Sequence, residues 1–128
     1  MILPGQTVGI LGGGQLGRFM GIEARLLGLK TVVLDPTPGS PAGQVCDKQI
    51  AAPVDDEKAA LELARQSDVV TFEWELIPAE ILEKIEAFKP VYPASKVIRV
   101  IQDRLTQKDF LYKSGFPQTP YAAVSNAD

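Results

Sequence analysis

The feature that most constrains this chain is a glycine-rich turn in which Gly12, Gly14 and Gly17 match the pattern G-x-G-x-x-G. The turn follows the short apolar segment TVGIL and precedes a helical pattern over residues 15–27. Glycine permits positive φ angles and close approach of the backbone, and a helix N-terminus offers unpaired N–H groups to an anion. The sequence therefore predicts a strand, a tight turn and a helix that together can hold a phosphate group.

The rest of the chain alternates between strand-like and helix-like segments. Apolar segments at residues 7–11, 31–34, 49–51 and 68–73 predict buried strands, and helical patterns follow three of them at residues 15–27, 55–66 and 78–88. Such alternation implies right-handed crossovers and a parallel sheet with helices on both faces. The predicted fold class is therefore α/β.

The first helix carries a stripe of small residues, Gly17, Gly21 and Ala24, which would let it lie close to the sheet. Gly28 is expected to end this helix, because glycine readily adopts the left-handed conformation of a C-terminal cap. Either Asp55 or Asp56 can cap the second helix. The third helix is expected to bury the following side chains: Ile81, Leu82, Ile85 and Phe88. Residues 91–92 are expected to form one more short strand.

Acidic residues stand at the ends of two predicted strands. Asp35 ends the second strand, and Glu73 ends the fourth, with Glu75 two residues further on and expected to be more exposed. In parallel sheets, ligands bind at the carboxyl ends of the strands, where the glycine turn also lies. Asp35 and Glu73 are therefore candidate ligand-binding residues.

The character of the chain changes after Pro93. Ser95 is expected to cap a helix over residues 96–101, a second helix is expected over residues 104–113, and a new strand is expected over residues 121–124. We therefore predict one domain over residues 1–95 and the start of a second, truncated one over residues 96–128.

Composition removes several classes of function. The net charge is −3 without a basic run, which argues against a nucleic-acid surface, and no apolar run approaches the roughly 20 residues of a membrane span. Cys46 is the only cysteine, which excludes an internal disulfide and fits a reducing cytoplasm; we expect it to serve packing. Because the chain has no histidine, it cannot use an imidazole base or ligand.

The glycine pattern alone leaves three interpretations open. It fits a dinucleotide-binding domain of an NAD-type oxidoreductase, in which Asp35 would hold ribose hydroxyls. It also fits another phosphate-bearing ligand, or a tight turn with a purely structural role.

Five segments of the chain resemble one family. They are GILGGGQLGRFM at residues 9–20, VVLDPTPGSPAGQVCD at 32–47, DVVTFEWELIP at 68–78, VYPASKVIRVIQDRLTQKDFL at 91–111 and GFPQTPY at 115–121. In this order and spacing they resemble the N5-carboxyaminoimidazole ribonucleotide synthetases, which are ATP-grasp enzymes of purine biosynthesis. The family usually reads F-E-F-E-N where this chain has Trp74 and Leu76 in place of the second aromatic and the Asn, which puts a polar role at position 76 in doubt.

The resemblance implies an activity and a set of ligands. Such enzymes carboxylate 5-aminoimidazole ribonucleotide with bicarbonate and ATP, through carboxyphosphate, and phosphoryl transfer of this kind depends on positioning around Mg²⁺. It implies a Rossmann-like pre-ATP-grasp domain followed by the first elements of an ATP-grasp domain. The main ATP clamp and the Mg²⁺ ligands would lie beyond residue 128, so this chain alone is expected to be inactive. Family members commonly form homodimers, and the resemblance implies no nucleic-acid or membrane partner.

The resemblance also implies site residues. Gly14, Gln15 and Leu16 would meet the phosphate end of the ribonucleotide. Asp35 would accept from its ribose hydroxyls, and Glu73 would hold its amino group. A further residue, Arg104, would contact ATP, because a guanidinium pairs with phosphates and stacks on purines. Trp74 is expected to pack or to form a wall of the cleft.

Related families remain as alternatives. One alternative is a sister ATP-grasp enzyme that acts on another ribonucleotide, such as a formate-dependent glycinamide ribonucleotide transformylase, but those proteins tend to carry an acidic residue where Gln15 stands. An NAD-type oxidoreductase domain is the alternative from a different class of enzyme, and a non-catalytic assembly domain is the third.

Overall fold

The computed structural model describes residues 1–124 and contains a four-stranded parallel sheet. The strands are β1 (Thr7–Leu11), β2 (Lys30–Asp35), β3 (Lys48–Ala51) and β4 (Val69–Phe72), in the spatial order β3-β2-β1-β4. β1 pairs in parallel with both β2 and β4, and β2 pairs in parallel with β3. The predicted α/β fold is confirmed, and the chain changes direction across the sheet between β1 and β4.

The helices connect and extend these strands. They are α1 (Gln15–Leu26), α2 (Glu57–Arg65), α3 (Ala79–Glu86), α4 (Ser95–Ile101) and α5 (Arg104–Lys113). Asp56 caps α2 by accepting from the Ala59 N–H at 3.1 Å. Gly28 follows the end of α1 with a φ of 74°, as the sequence predicts.

The sheet is covered on both faces. On one face, alternate strand residues such as Leu11, Leu34 and Val70 pack against apolar side chains of α2, α3 and α4. On the other face, Ile10 and Val33 lie in a smaller cluster that Met20 of α1 covers. The small-residue stripe of α1 is buried, which confirms that this helix lies close to the sheet.

Several finer predictions are wrong. Phe88 is 46% exposed rather than buried. It lies beyond the end of α3 at Glu86, so the periodicity of the helix does not direct its ring toward the core. Ser95 lies inside α4 rather than capping it, and its N–H and hydroxyl both donate to the carboxylate of Glu86. Val91 makes a single bridge to Val70 instead of starting a strand.

The expected strand over residues 121–124 is also absent, since residues 116–124 have no regular secondary structure. The last four residues of the predicted second region, 125–128, lie outside the described residues. Among the helices of residues 1–124, none is long and apolar enough to cross a membrane.

Candidate functional site

The glycine turn between β1 and α1 requires glycine at specific positions. Gly12 has a φ of 97°, which side chains other than glycine rarely adopt, and its N–H donates to the Leu34 carbonyl at 3.0 Å. A Cβ on Gly17 would lie 2.7 Å from the Gly12 carbonyl oxygen. The turn therefore brings backbone amides close together at the carboxyl end of β1.

The carboxylate of Glu73 occupies the N-terminus of α1. Its Oε1 accepts from the Gly14 N–H at 2.8 Å, and its Oε2 accepts from the Gly17 N–H at 2.8 Å. Gly14 is the N-cap residue and has no side chain with which to cap the helix. Glu73 reaches across from the end of β4 and supplies the anion that the helix N-terminus favours.

Asp35 joins the glycine turn to the segment that follows β2. Its Oδ2 accepts from the Gly13 N–H at 2.9 Å, and its Oδ1 accepts from the Thr37 N–H at 2.8 Å. The carboxylates of Asp35 and Glu73 thus hold consecutive amides of one turn, each from a different neighbouring strand.

A pocket of about 230 Å³ opens over these groups. Its lining comprises Gly12, Gly14, Asp35, Pro36, Thr37, Val54, Glu73 and Trp74. Trp74 is 44% exposed and also lines an adjoining pocket together with Leu76. The pocket lies at the carboxyl ends of β1, β2 and β4, beside the point where the sheet reverses its order, which is the usual ligand position in such sheets.

The structure brings three of the six predicted site residues together in one pocket. Gly14, Asp35 and Glu73 line the one pocket, while Gln15 and Leu16 lie exposed in the first turn of α1. No acceptor in the described part of the chain takes the backbone N–H of Gln15 or Leu16. The amide of Gly14, by contrast, is already bonded to Glu73.

Arg104 lies elsewhere, outside the lining of this pocket. It begins α5, and its guanidinium donates to the Gln107 Oε1 at 2.6 Å. Asp103 caps α5 by accepting from the Thr106 N–H at 2.6 Å, and hydrogen bonds from the Thr106 side chain and backbone lower the pKa of the Asp103 carboxyl. Sequence reasoning named Arg104 alone and missed this capping contact, which the spacing of Asp103 and Thr106 could have indicated.

Sequence reasoning also missed the segment that supports the pocket wall. The Ala42 N–H donates to the Gly13 carbonyl at 2.9 Å. The amide of Gln49 donates to the Thr37 carbonyl at 2.7 Å and accepts from the Gly39 N–H at 3.0 Å. No sequence signal marks Gln49, because its partners lie in an irregular segment whose conformation the pattern does not predict.

The charged side chains of the site do not form a metal cluster. Within residues 1–124, no group of three or more Asp, Glu, Cys or His residues is arranged to hold a metal ion. The two pocket carboxylates are instead directed at backbone amides. The site as built can accept donors such as hydroxyls and amines, and it leaves amides of α1 available to an anion.

Comparison with known proteins decides the family. The family model described as the ribonucleotide synthetase preATP-grasp domain matches residues 5–102. The chain belongs to this family. As a preATP-grasp domain, it carries its glycine turn, Asp35 and Glu73 all inside the matched residues, so the resemblance inferred from the sequence is confirmed.

Individual relatives of this preATP-grasp domain share one description. A curated N5-carboxyaminoimidazole ribonucleotide synthase from Brucella melitensis is 42% identical over 125 residues, which cover 98% of this chain and 34% of that protein. The solved N5-carboxyaminoimidazole ribonucleotide synthetase from Thermotoga maritima has a TM-score of 0.90 at 42% identity, covering 94% of this chain and 34% of its own. The Aspergillus clavatus enzyme in complex with ADP and 5-aminoimidazole ribonucleotide has a TM-score of 0.85 at 35% identity, covering 93% and 32%. The chain therefore spans about a third of the length of these relatives.

Proposed function

We propose that this chain is the ribonucleotide-binding part of an N5-carboxyaminoimidazole ribonucleotide synthase. That enzyme is an ATP-grasp carbon–nitrogen ligase, which carboxylates 5-aminoimidazole ribonucleotide with bicarbonate and ATP in purine biosynthesis. The observation that carries the proposal is the pocket in which Asp35 and Glu73 meet the glycine turn. Relatives of this name match the chain over nearly its whole length.

The phosphate of the ribonucleotide would bind at the first turn of α1. Gln15 and Leu16 are exposed residues there, no acceptor in the described residues takes their backbone N–H groups, and the helix N-terminus favours an anion. Gly14 would not bind the phosphate through its backbone amide, because that amide already donates to Glu73. Gly14 would instead contribute through the shape of the turn, which has no Cβ at that position.

The two carboxylates would hold the sugar and the base. An ionised carboxylate has about four lone-pair sites, so Asp35 can bond the amides of Gly13 and Thr37 and still accept from ribose hydroxyls. Glu73 can likewise accept from the exocyclic amine and orient it for attack on an activated carboxyl group. Trp74, at the edge of the pocket, offers an aromatic face to the imidazole ring.

The main ATP clamp and the Mg²⁺ ligands of such an enzyme would lie beyond residue 128. Residues 1–95 would form the pre-ATP-grasp domain and residues 96–128 the start of the ATP-grasp region, in which Arg104 would contact ATP. The described residues offer no carboxylate cluster that fits Mg²⁺, so we assign no metal-dependent step to them. We further propose that the complete enzyme is a homodimer, as members of the family commonly are, and that it is cytoplasmic, which the half-buried free thiol of Cys46 fits.

The position of Glu73 argues against the NAD-type alternative. In dinucleotide-binding domains the pyrophosphate sits on the amides that open the first helix. Here a protein carboxylate bonds two of those amides, Gly14 and Gly17, so a diphosphate would have to displace a like charge. A monoester phosphate beside Gln15 and Leu16 faces no such displacement.

Titration of this chain with 5-aminoimidazole ribonucleotide tests the proposal. Trp74 is the only tryptophan and lines the pocket, so its fluorescence reports binding directly, with calorimetry as a second measurement. We expect saturable binding that Asp35→Ala and Glu73→Ala weaken, whereas Glu75→Ala, which removes an exposed carboxylate from the same segment, leaves it unchanged. Binding of NADH without binding of the ribonucleotide would return the site to the dinucleotide class.

A further inference from the structure

Gln102 holds the segment that follows β4. It is the C-cap residue of α4, and its Nε2 donates to the Glu75 carbonyl at 2.6 Å and to the Ile77 carbonyl at 2.8 Å. Both partners are carbonyl oxygens, which only accept, so the nitrogen rather than the oxygen of the amide must face them. One side-chain nitrogen thus uses both of its protons on one short stretch of backbone.

The stretch held by Gln102 carries the pocket wall. It begins at Glu73, whose N–H donates to the Leu11 carbonyl at 3.1 Å, and continues through Trp74 to the buried Ile77. Glu73 anchors the near end, where the segment leaves the sheet, and Gln102 holds the far end. The residues between these two attachments have no regular secondary structure.

Gln102 also stands directly before the start of α5. The next residue, Asp103, caps α5, and Arg104 is its first residue. The side chain of Gln102 therefore bridges the wall of the ribonucleotide pocket to the helix that begins with Arg104.

We propose that Gln102 is a positioning residue, which fixes the Glu73 segment relative to Arg104 so that the two proposed ligand contacts keep one geometry. Its meaning for catalysis rests on the proposed function, whereas the positioning itself rests on the contacts of Gln102. The proposal gives a role to the two hydrogen bonds that the amide of Gln102 donates from an exposed position. Glutamine offers two protons to two carbonyls, and glutamate of the same size offers none when ionised.

Three variants separate positioning from simple packing. Gln102→Glu places a carboxylate against two carbonyl oxygens, and Gln102→Met keeps the length of the side chain without donors or charge. Gln6→Glu is the matched control, because the Gln6 Oε1 only accepts, from the Leu3 N–H at 2.6 Å, and a glutamate oxygen can do the same. The control adds the same charge to the same chain away from the pocket.

Hydrogen exchange of individual amides is the first measurement. We expect the amides of Gly14, Gly17 and Thr106 to exchange about fivefold to tenfold faster in Gln102→Glu, and less so in Gln102→Met, because two modest hydrogen bonds are lost. The amides of the β1–β2 ladder, which report global unfolding, should change less. Unchanged protection at Gly14 and Gly17, or an equal change throughout the sheet, would overturn the proposal.

Acidification and ligand binding complete the test. Protonation gives the glutamate of Gln102→Glu one donor, so its difference from the unsubstituted chain should narrow as the pH falls through the pKa of that carboxyl, which the two facing carbonyl oxygens raise above its usual value of about 4.3. The affinity for 5-aminoimidazole ribonucleotide should fall about fivefold to tenfold in Gln102→Glu. If the unsubstituted chain binds no ribonucleotide, the proposed function fails, and the exchange result at Gly14, Gly17 and Thr106 still decides the role of Gln102.

Discussion

Replacement of Glu73 by alanine should destabilise the free protein as well as weaken ligand binding. Most ligand-binding carboxylates cost stability in the absence of ligand, so their removal is neutral or stabilising. Glu73 differs, because its two oxygens accept at 2.8 Å from the amides of Gly14 and Gly17. We therefore expect Glu73→Ala to lower the free energy of unfolding.

The magnitude follows from the contacts that are lost. A hydrogen bond to a charged group contributes about 1.5–3 kcal/mol, and an anion at a helix N-terminus adds about 0.3–1 kcal/mol. The site of Glu73 is only partly buried, so water would replace part of both hydrogen bonds. The net loss for Glu73→Ala should be about 2–4 kcal/mol. Glu73→Gln keeps one acceptor oxygen and should lose about half as much.

Urea unfolding, followed by circular dichroism, measures this loss. Glu75→Ala is the matched control, and as a surface substitution it should change the free energy of unfolding by less than about 0.5 kcal/mol. A Glu73→Ala protein as stable as this control would refute the capping role. It would mean that water satisfies the amides of Gly14 and Gly17 as well as the carboxylate does.

Further substitutions test the turn, the core and the start of α5. Gly17→Ala places a Cβ 2.7 Å from the Gly12 carbonyl oxygen and should cost about 1–3 kcal/mol of unfolding free energy in urea. Leu82→Ala, at a fully buried position, should cost about 2–5 kcal/mol by the same assay. The lowered pKa of Asp103 means that its capping contribution is present above its ordinary pKa of 3.8 and is lost as the pH falls through the lower folded value. Exchange of the Thr106 amide should therefore accelerate below pH 3.8, relative to the sheet amides, and Asp103→Ala should abolish that pH dependence.

Local signals in the sequence predicted the four sheet strands and the five helices of the described residues, whereas the strands expected at residues 91–92 and 121–124 are absent. The strand β1, the helix α1 and the ending at Gly28 are each specified by residues within a few positions, and all three are confirmed. The prediction that Ser95 caps a helix is wrong because its contacts are made with a residue outside that local pattern. Serine is a common helix-capping residue, but here its N–H and hydroxyl donate to the carboxylate of Glu86, nine residues earlier.

The arrangement of the site was only partly predictable. The sequence placed Asp35 and Glu73 at the carboxyl ends of strands, which the structure confirms. It gave no indication that Glu73 would bond the amides of Gly14 and Gly17, because those partners lie 59 and 56 residues away. Contacts across such separations depend on the order of strands in the sheet, which no local pattern reveals. The hydrogen bonds of Gln102 to the Glu75 and Ile77 carbonyls could not be predicted for the same reason.

The long-range attachment of Glu73 also bears on how the protein folds. The Gly13 amide donates to Asp35, which is 22 residues away in the sequence, whereas the Gly14 amide donates to Glu73, which is 59 residues away. Bringing distant segments together costs more chain entropy and is slower, so β1, α1 and β2 should associate before β4 docks. During that interval the amides of Gly14 and Gly17 lack their carboxylate and can attract a free anion. Phosphate in the refolding buffer should therefore compete with the docking of β4 and slow the last step of folding.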